Sequence, residues 1–359
     1  MSRVDEAVRR ALAYLARQHE TGYPDAVHTM GAYSTAKFVE QYAALLRLPP
    51  SYADRFSRFR CAGRTFHVAL ITDALQDAVD AGHVECRAPV EANAAYLRTV
   101  RDGLSWRYFP GFEPLPPDAD TLGQVAQVLV RAGEAHPEEF TEAFALAAAN
   151  AWEDGAVNTF LWEDPARRRQ AALNVLWGRG RDDTGRDPEV VANLMSGALL
   201  YERRVGPCAL GPLIGPAGAW VAGQQEPMGF WRAAWYVGVY YSTYTAVRLL
   251  STLGGYEEST ARAARFLAQA PATDPLNRAL TVLALRHCGQ SPGRHEPGHD
   301  QDHEPGHGLD LDLDLDLIVD SQFPDGSWEA IPLLDNHARV WGSRAVTTGF
   351  CLKALLAAS

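Results

Sequence analysis

The chain of 359 residues lacks most features that would assign a function at sight. It has no Cys-x-x-Cys pair. Its five cysteines (Cys61, Cys86, Cys208, Cys288, Cys351) are scattered and odd in number, so neither a zinc knuckle nor a disulfide framework is indicated. A reducing compartment, the cytoplasm, is the expected location. No uninterrupted apolar run reaches the ~18 residues of a membrane span. The N-terminal stretch MSRVDEAVRRALAYLARQ has neither the apolar core nor the cleavage site of a signal peptide. Positive charge is in deficit: 33 Lys and Arg against 44 Asp and Glu give −11, which argues against a nucleic-acid partner. Strand-like alternation is almost absent.

What is present is apolar mass. Hydrophobic residues make up 47% and charged residues 21%, with nine Trp, 13 Tyr and 13 Phe, enough for a large core or an aromatic-lined cavity. Residues 3–18 place Val4, Ala7, Val8, Ala11, Leu12 and Leu15 on one helical face. Similar patterns predict helices over 34–47 (with Ser34 as N-cap), 66–81, 89–101, 121–132, 138–151, 166–177, 188–203, 214–224, 236–253, 259–269, 275–287 and 343–357. Asp187-Pro188 and Asp274-Pro275 each put a capping Asp before a first-turn proline, and Gly82 and Gly254-Gly255 are stop signals. About a dozen helices at about 30 residues apiece fit a closed ring of hairpins, a bundle or a solenoid equally well.

One segment departs from this pattern. Residues 291–317 nearly repeat HEPGHDQD as HEPGHGLD and then alternate Leu with Asp, so they are expected to form a low-complexity surface loop. Its histidines His295, His299, His303 and His307 could alternatively bind a divalent metal.

A repeat search gives a stronger signal. Gln225, Gly229 and Trp231 follow the pattern Q-x3-G-x-W, and Gln322, Gly326 and Trp328 follow it again. Gln18-x3-Gly22-Tyr23 and Asp102-Gly103-Leu-Ser-Trp106 are degraded copies. These copies resemble the QW motifs of the squalene-hopene cyclase and prenyltransferase superfamily. The segments 106–129, 230–250 and 321–358 resemble, in order, the cyclase acidic-motif region, its Trp-Tyr stretch and its closing helix. The resemblance covers residues 100–358. It implies an all-α fold, a single (α/α)6 barrel occupying residues 1–359, and a class II terpene cyclase that protonates a linear isoprenoid.

The family motif DxDD carries its proton donor in the middle. Here the string is Asp118-Ala119-Asp120-Thr121. One register makes Asp120 the donor, Asp118 its partner and Thr121 a substitute for the last Asp. Another puts Ala119 at the donor position and abolishes acid catalysis. Without the repeats, Asp118 or Asp120 would be read only as a helix cap. Trp106, Tyr108, Phe109, Trp235, Tyr236, Tyr240, Tyr241 and Tyr244 are candidates to line a cavity and stabilise carbocations through their ring faces, or else to pack the core.

Protonation needs no cofactor. A diphosphate on the substrate would bring Mg2+, for which Asp182 and Asp183, with Arg203 and Arg204, are weak candidates against a simple capped loop. The zinc prenyltransferases of the superfamily are disfavoured: Val239–Tyr244 holds no Cys, and His337 stands alone. Family cyclases usually place this site between two domains, and 359 residues leave no room for the second. A lone barrel would need a loop lid, a second copy or a partner subunit to exclude water. Peripheral membrane contact fits an isoprenoid substrate. Two classes therefore remain: a cyclase, or a non-catalytic barrel that holds an isoprenoid, lipid or protein partner. Deleting residues 291–310 is expected to leave the melting temperature and any activity nearly unchanged. A large loss of either would give that segment a structural or metal role.

Overall fold

The predicted periodicities become helices over most of their lengths in the computed structural model, which describes residues 2–56, 58–163, 172–173, 176, 185–289, 311–335 and 340–358. In chain order these are α1 (Arg3–Glu20), α2 (Ala32–Leu46), α3 (Pro50–Asp54), α4 (Thr65–Asp80), α5 (Arg87–Thr99), α6 (Ala119–Ala132), α7 (Pro137–Ala149), α8 (Pro188–Arg204), α9 (Gly211–Gly223), α10 (Tyr240–Leu253), α11 (Glu257–Gln269), α12 (Pro275–His287), α13 (Leu311–Asp320) and α14 (Arg344–Ala358). Two short antiparallel pairs accompany them: β1 (His28–Met30) with β2 (Cys61–Gly63), and β3 (Pro332–Asp335) with β4 (Val340–Gly342).

Six helices form an inner ring. Each of α4, α6, α8, α10, α12 and α14 packs on the next, and α14 packs back on α4. Outside the ring lie α1, which packs on α14 and α13, and the helix preceding each later inner helix, giving outer helices α1, α5, α7, α9, α11 and α13. The fold is therefore all-α, a ring of helices within a ring. Burial follows this division. Every residue from Ala119 to Val130 of α6 and from Ala345 to Leu355 of α14 is buried, as expected of a helix enclosed on all sides. Outer α1 buries only the stripe Ala7, Val8, Ala11, Leu12, Tyr14 and Leu15. Inner neighbours run in the same direction. Asn193 of α8 meets Asp120 near the start of α6 while Gly197 meets Gly123, and Gly349 of α14 lies by Ala74 while Lys353 reaches Asp77. No helix among the described residues is long and apolar enough to cross a membrane.

A second apolar cluster sits over one end of the ring. It joins Val39 and Tyr42 of α2 and Phe56 to Phe109, Phe112 and Leu115 of the loop before α6, and to Phe160 and Trp162. It meets the main core through Tyr108 and Trp235.

Four local expectations need correction. Residues 311–317 are not loop but part of α13. In helical form Leu315, Ile318 and Val319 share the buried face, Asp314 pairs with Arg278 at 2.7 Å, and Asp316 and Asp320 face Arg3. The helix predicted from 236 starts at Tyr240, because the backbone of 236–237 is bound to Leu333 and Leu334 of β3. Gly31, not Ser34, precedes the first turn of α2. Asp187 stands at the N-cap position of α8 without capping it, whereas Asp274 caps α12 through Asn277 N–H at 2.9 Å. The 291–310 stretch with His295, His299, His303 and His307, most of 166–177, Asp182, Asp183 and His337 lie outside the described residues.

The Q-x3-G-x-W copies act as straps. The Gln225 amide donates to its own Gly229 carbonyl and to Ser259 of outer helix α11, each at 2.8 Å. Gln322 does the same to Gly326 at 3.0 Å and to Ala7 of α1 at 2.9 Å. The indole N–H groups point the other way. Trp231 donates to Val221 of α9 and Trp328 to Ile318 of α13, both at 2.7 Å. Trp106 of the degraded copy likewise donates to Leu97 of α5 at 2.7 Å. Each intact strap thus ties its own outer helix to the next. Glycine is required at its centre: Gly229 and Gly326 have φ of +104° and +90°, and a Cβ would strike Arg262 O at 2.4 Å or Arg10 O at 2.1 Å. Trp328→Ala, which empties a fully buried site and removes the indole bond to the Ile318 carbonyl, is expected to cost about 3–5 kcal/mol in urea unfolding. Unchanged stability would reduce the repeat to coincidence.

Candidate active site

Asp118 and Asp120 open α6 at the covered end of the ring, where α4 and α8 also begin. Asp118 is the cap. Its Oδ1 accepts from Thr121 N–H at 2.7 Å and its Oδ2 from Tyr108 N–H at 2.9 Å, so it fixes both the helix start and the loop before it. It makes no hydrogen bond to Asp120, because both of its oxygens serve the backbone, and it acts on Asp120 through its charge. Thr121 is fully buried and lines the cavity described below.

Asp120 is held by other residues. Its Oδ1 accepts from Asn193 Nδ2 at 2.7 Å, and the Tyr236 hydroxyl donates to Oδ2. The Asn193 amide has one possible orientation. Its Oδ1 accepts from Gln127 Nε2 at 2.8 Å and Arg248 Nη2 at 2.9 Å, so its NH2 must face Asp120. Close approach of α6 and α8 makes this reach possible: a Cβ on Gly123 would lie 2.6 Å from the Leu194 backbone. Burial pushes the Asp120 carboxyl up to about 7. The donors from Tyr236 and Asn193 pull it down by less, and the charges of Asp118 and Asp187 add to the rise. Asp118 is raised to about 6 by burial, against its two backbone donors.

Both carboxyls open on a cavity of about 530 Å³, within the usual range for a small-molecule site. Phe66, Tyr108, Phe109, Phe160, Trp235 and Tyr236 supply aromatic wall, with Leu334 and His28. Ser34, Lys37, Phe38 and Gln41 of α2 line its outer side, so α2 and its apolar cluster roof the site. The ring thus carries cover of its own on this side.

Four of the eight aromatic candidates line the cavity: Tyr108, Phe109, Trp235 and Tyr236. Four do not. Trp106 is a strap residue stacked on Phe140 at 5.2 Å, Tyr241 stacks behind Tyr236 at 4.0 Å, Tyr244 is buried beside Arg248, and Tyr240 lies outside the lining. Trp235 is fixed by two acids. Its indole N–H donates to Asp187 Oδ2 at 2.7 Å and its backbone N–H to Glu189 Oε1 at 3.1 Å. Asn193, Glu189 and His28 went unrecognised in the sequence. An Asn within the apolar run VVANLM and a Glu directly after Asp187-Pro188 were the available signals. Among the described residues no group of three or more His, Cys, Asp or Glu is placed to hold a metal.

No protein-family model and no curated protein matches the chain. Solved structures do. The apo type II terpene cyclase MstE from Scytonema aligns at 14% identity with a TM-score of 0.66, over 99% of this chain and 98% of its own. A variant of MstE in complex with geranylgeranyl dihydroxybenzoate, its substrate, gives 14% and 0.67 over 99% and 97%. The ent-copalyl diphosphate synthase from Streptomyces platensis gives 19% and 0.56, over 82% of this chain and 50% of that one. At these identities the likeness is one of fold: the chain has a class II terpene cyclase-like, prenyltransferase-like fold.

Raised carboxyl pKa values carry a sign that can be measured. Native Asp120 binds its proton more tightly than the unfolded chain does. Its contribution is therefore full below pH ~4 and is lost as pH rises through about 7. Asp118 and Glu189, the latter raised to about 8 by burial and by Asp187, act in the same direction. Asp120→Asn keeps the shape without the titration. Its stability relative to wild type should improve between pH 4 and pH 8 by a few kcal/mol, at about 1.4 kcal/mol per pKa unit. Parallel pH–stability curves would place the raised carboxyl elsewhere.

Proposed function

We propose that this protein is a class II terpene cyclase in which Asp120 protonates a linear isoprenoid. The observation that carries the reading is one buried carboxyl that faces an aromatic cavity, where burial pushes its pKa up to about 7. An alkene is a very weak base, so its protonation needs an acid held dry and a conjugate base stabilised as it forms. The proton passes from Asp120 to the terminal alkene carbon, whose π pair forms the new C–H bond. The adjacent carbon becomes a cation, and successive π bonds attack it to close rings. The donors from Asn193 and Tyr236 then hold the carboxylate left behind. The faces of Trp235, Phe160, Phe109 and Phe66 shield the cation, each worth roughly 0.5–2 kcal/mol when desolvated. α2 and its apolar cluster cover one side of the cavity and so limit the access of water that would quench it. Protonation itself requires no cofactor. An anionic head group would meet Lys37 at the outer side of the cavity, and Mg2+ would enter only with a diphosphate.

The test is to incubate purified protein with geranyl, farnesyl and geranylgeranyl diphosphates and with squalene, and to analyse the products. Wild type is expected to cyclise at least one of them. Asp120→Asn should lose a factor of about 10²–10⁴ or more while still binding substrate. The kcat/KM of the wild type should fall about tenfold per pH unit above ~7, as Asp120 ionises. Binding without turnover by wild type would make the protein a carrier, and undiminished activity of Asp120→Asn would place the acid elsewhere.

A further inference from the structure

A directional hydrogen-bond chain leads from His67 through Tyr108 to His28 at the cavity wall. His67, on the first turn of α4, has Nδ1 at 2.9 Å from the Ala26 carbonyl. A carbonyl only accepts, so Nδ1 carries the hydrogen. Burial depresses the His67 pKa to about 3, so the ring is neutral and its Nε2 is a lone pair. Tyr108 Oη, 2.8 Å from that Nε2, must donate to it. The Tyr108 oxygen is then the acceptor for His28 Nδ1, also at 2.8 Å. Burial lowers the His28 pKa to about 4, so this ring too is neutral. The chain thus fixes the tautomer of His28: hydrogen on Nδ1, lone pair on Nε2. No hydrogen bond among the described residues uses that Nε2.

The surroundings hold this arrangement. His28 lies on β1 opposite Gly63 of β2, which brings it beside the start of α4. The rings of His28 and His67 both stack on Trp341, at 5.6 and 3.8 Å. The Tyr108 backbone is pinned by Asp118, the cap of the acid's own helix. His28 and Asp120 line the same cavity.

Resting on the cyclase reading, we propose that His28 is the catalytic base that ends the cyclisation, with Tyr108 and His67 as positioning residues that aim its lone pair. Each ring closure moves the cation away from Asp120, so the last proton leaves from a different part of the cavity. The C–H bond next to the final cation breaks, its electron pair becomes the product double bond, and the proton goes to His28 Nε2. A weak base suffices because such a C–H bond is strongly acidic. The buried imidazolium then gives its proton to water, Asp120 takes one back from water, and the net reaction is an isomerisation.

Two measurements test this. In protein labelled with 15N-histidine, the His28 resonances, assigned by their loss in His28→Phe or His28→Gln, should report hydrogen on Nδ1 and a bare Nε2 at neutral pH. The opposite tautomer overturns the proposal whatever the activity. On a substrate that wild type cyclises, His28→Phe keeps a ring against Trp341. It should consume that substrate within about tenfold of the wild-type rate, but replace the wild-type alkene with other alkene isomers or water-captured alcohols. His28→Gln serves if the Phe variant does not fold. The same alkene in the same proportion overturns the base role alone and leaves the acid untouched. A wild type that consumes none of the four isoprenoids overturns the cyclase reading, and the base role with it.

Discussion

A ring of helices has to close, and here closure falls between the first and last inner helices at a buried cluster of charge. Lys353 of α14 lies 2.6 Å from both Asp73 and Asp77 of α4, and Arg131 of α6 reaches Asp73 at 2.6 Å and Asp77 at 2.7 Å. Burying such ions is costly, and removing one partner would leave an uncompensated charge, so the geometry tolerates little displacement. Lys353 and Arg131 hold the Asp73 carboxyl well below its usual range despite its burial. Arg248 of α10 also acts on Asp73 through its charge, and the same guanidinium donates to Asn193 of α8, which holds Asp120.

The two carboxyls at the start of α6 illustrate how neighbouring residues of one type divide the work. Asp118 meets backbone donors and becomes the structural cap. Asp120, two residues on, is carried around the helix to face Asn193 and Tyr236, and its proton is retained because burial outweighs two donors. The cap reading of this motif holds for Asp118, and the acid role proposed above falls on a different residue, Asp120.

The ring and the pair of carboxyls at the cavity were legible because their signals are local. A 3.6-residue period, a strap of seven residues and two acids before a helix can all be read within a short window. What was not legible depends on distance or on exclusion. Asn193 is 73 residues from Asp120, and only the passage of α8 across Gly123 brings them together. His28 lies in a three-residue strand whose pairing with Gly63 no local pattern announces. The Leu-Asp alternation of α13 imitates low complexity, and becomes a helix because Arg278 and Arg3 wait for its acids. Half of the aromatic candidates proved to be strap or core, since an aromatic cluster in sequence does not say which ring faces the void.

A retained proton on Asp120 has a consequence for the charge balance of the cavity. The parallel inner helices α4, α6 and α8 present their partly positive ends to this space, a field unfavourable to a cation. A permanent carboxylate would offset that field, but would stand without a counter-charge beside it, held only by the neutral donors Asn193 and Tyr236, whenever substrate is absent. A neutral acid avoids this standing cost. In a reaction begun by Asp120, the transfer that creates the cation creates its counterion in the same event, so this residue, while protonated, adds no charge at rest and compensates only while charge is present.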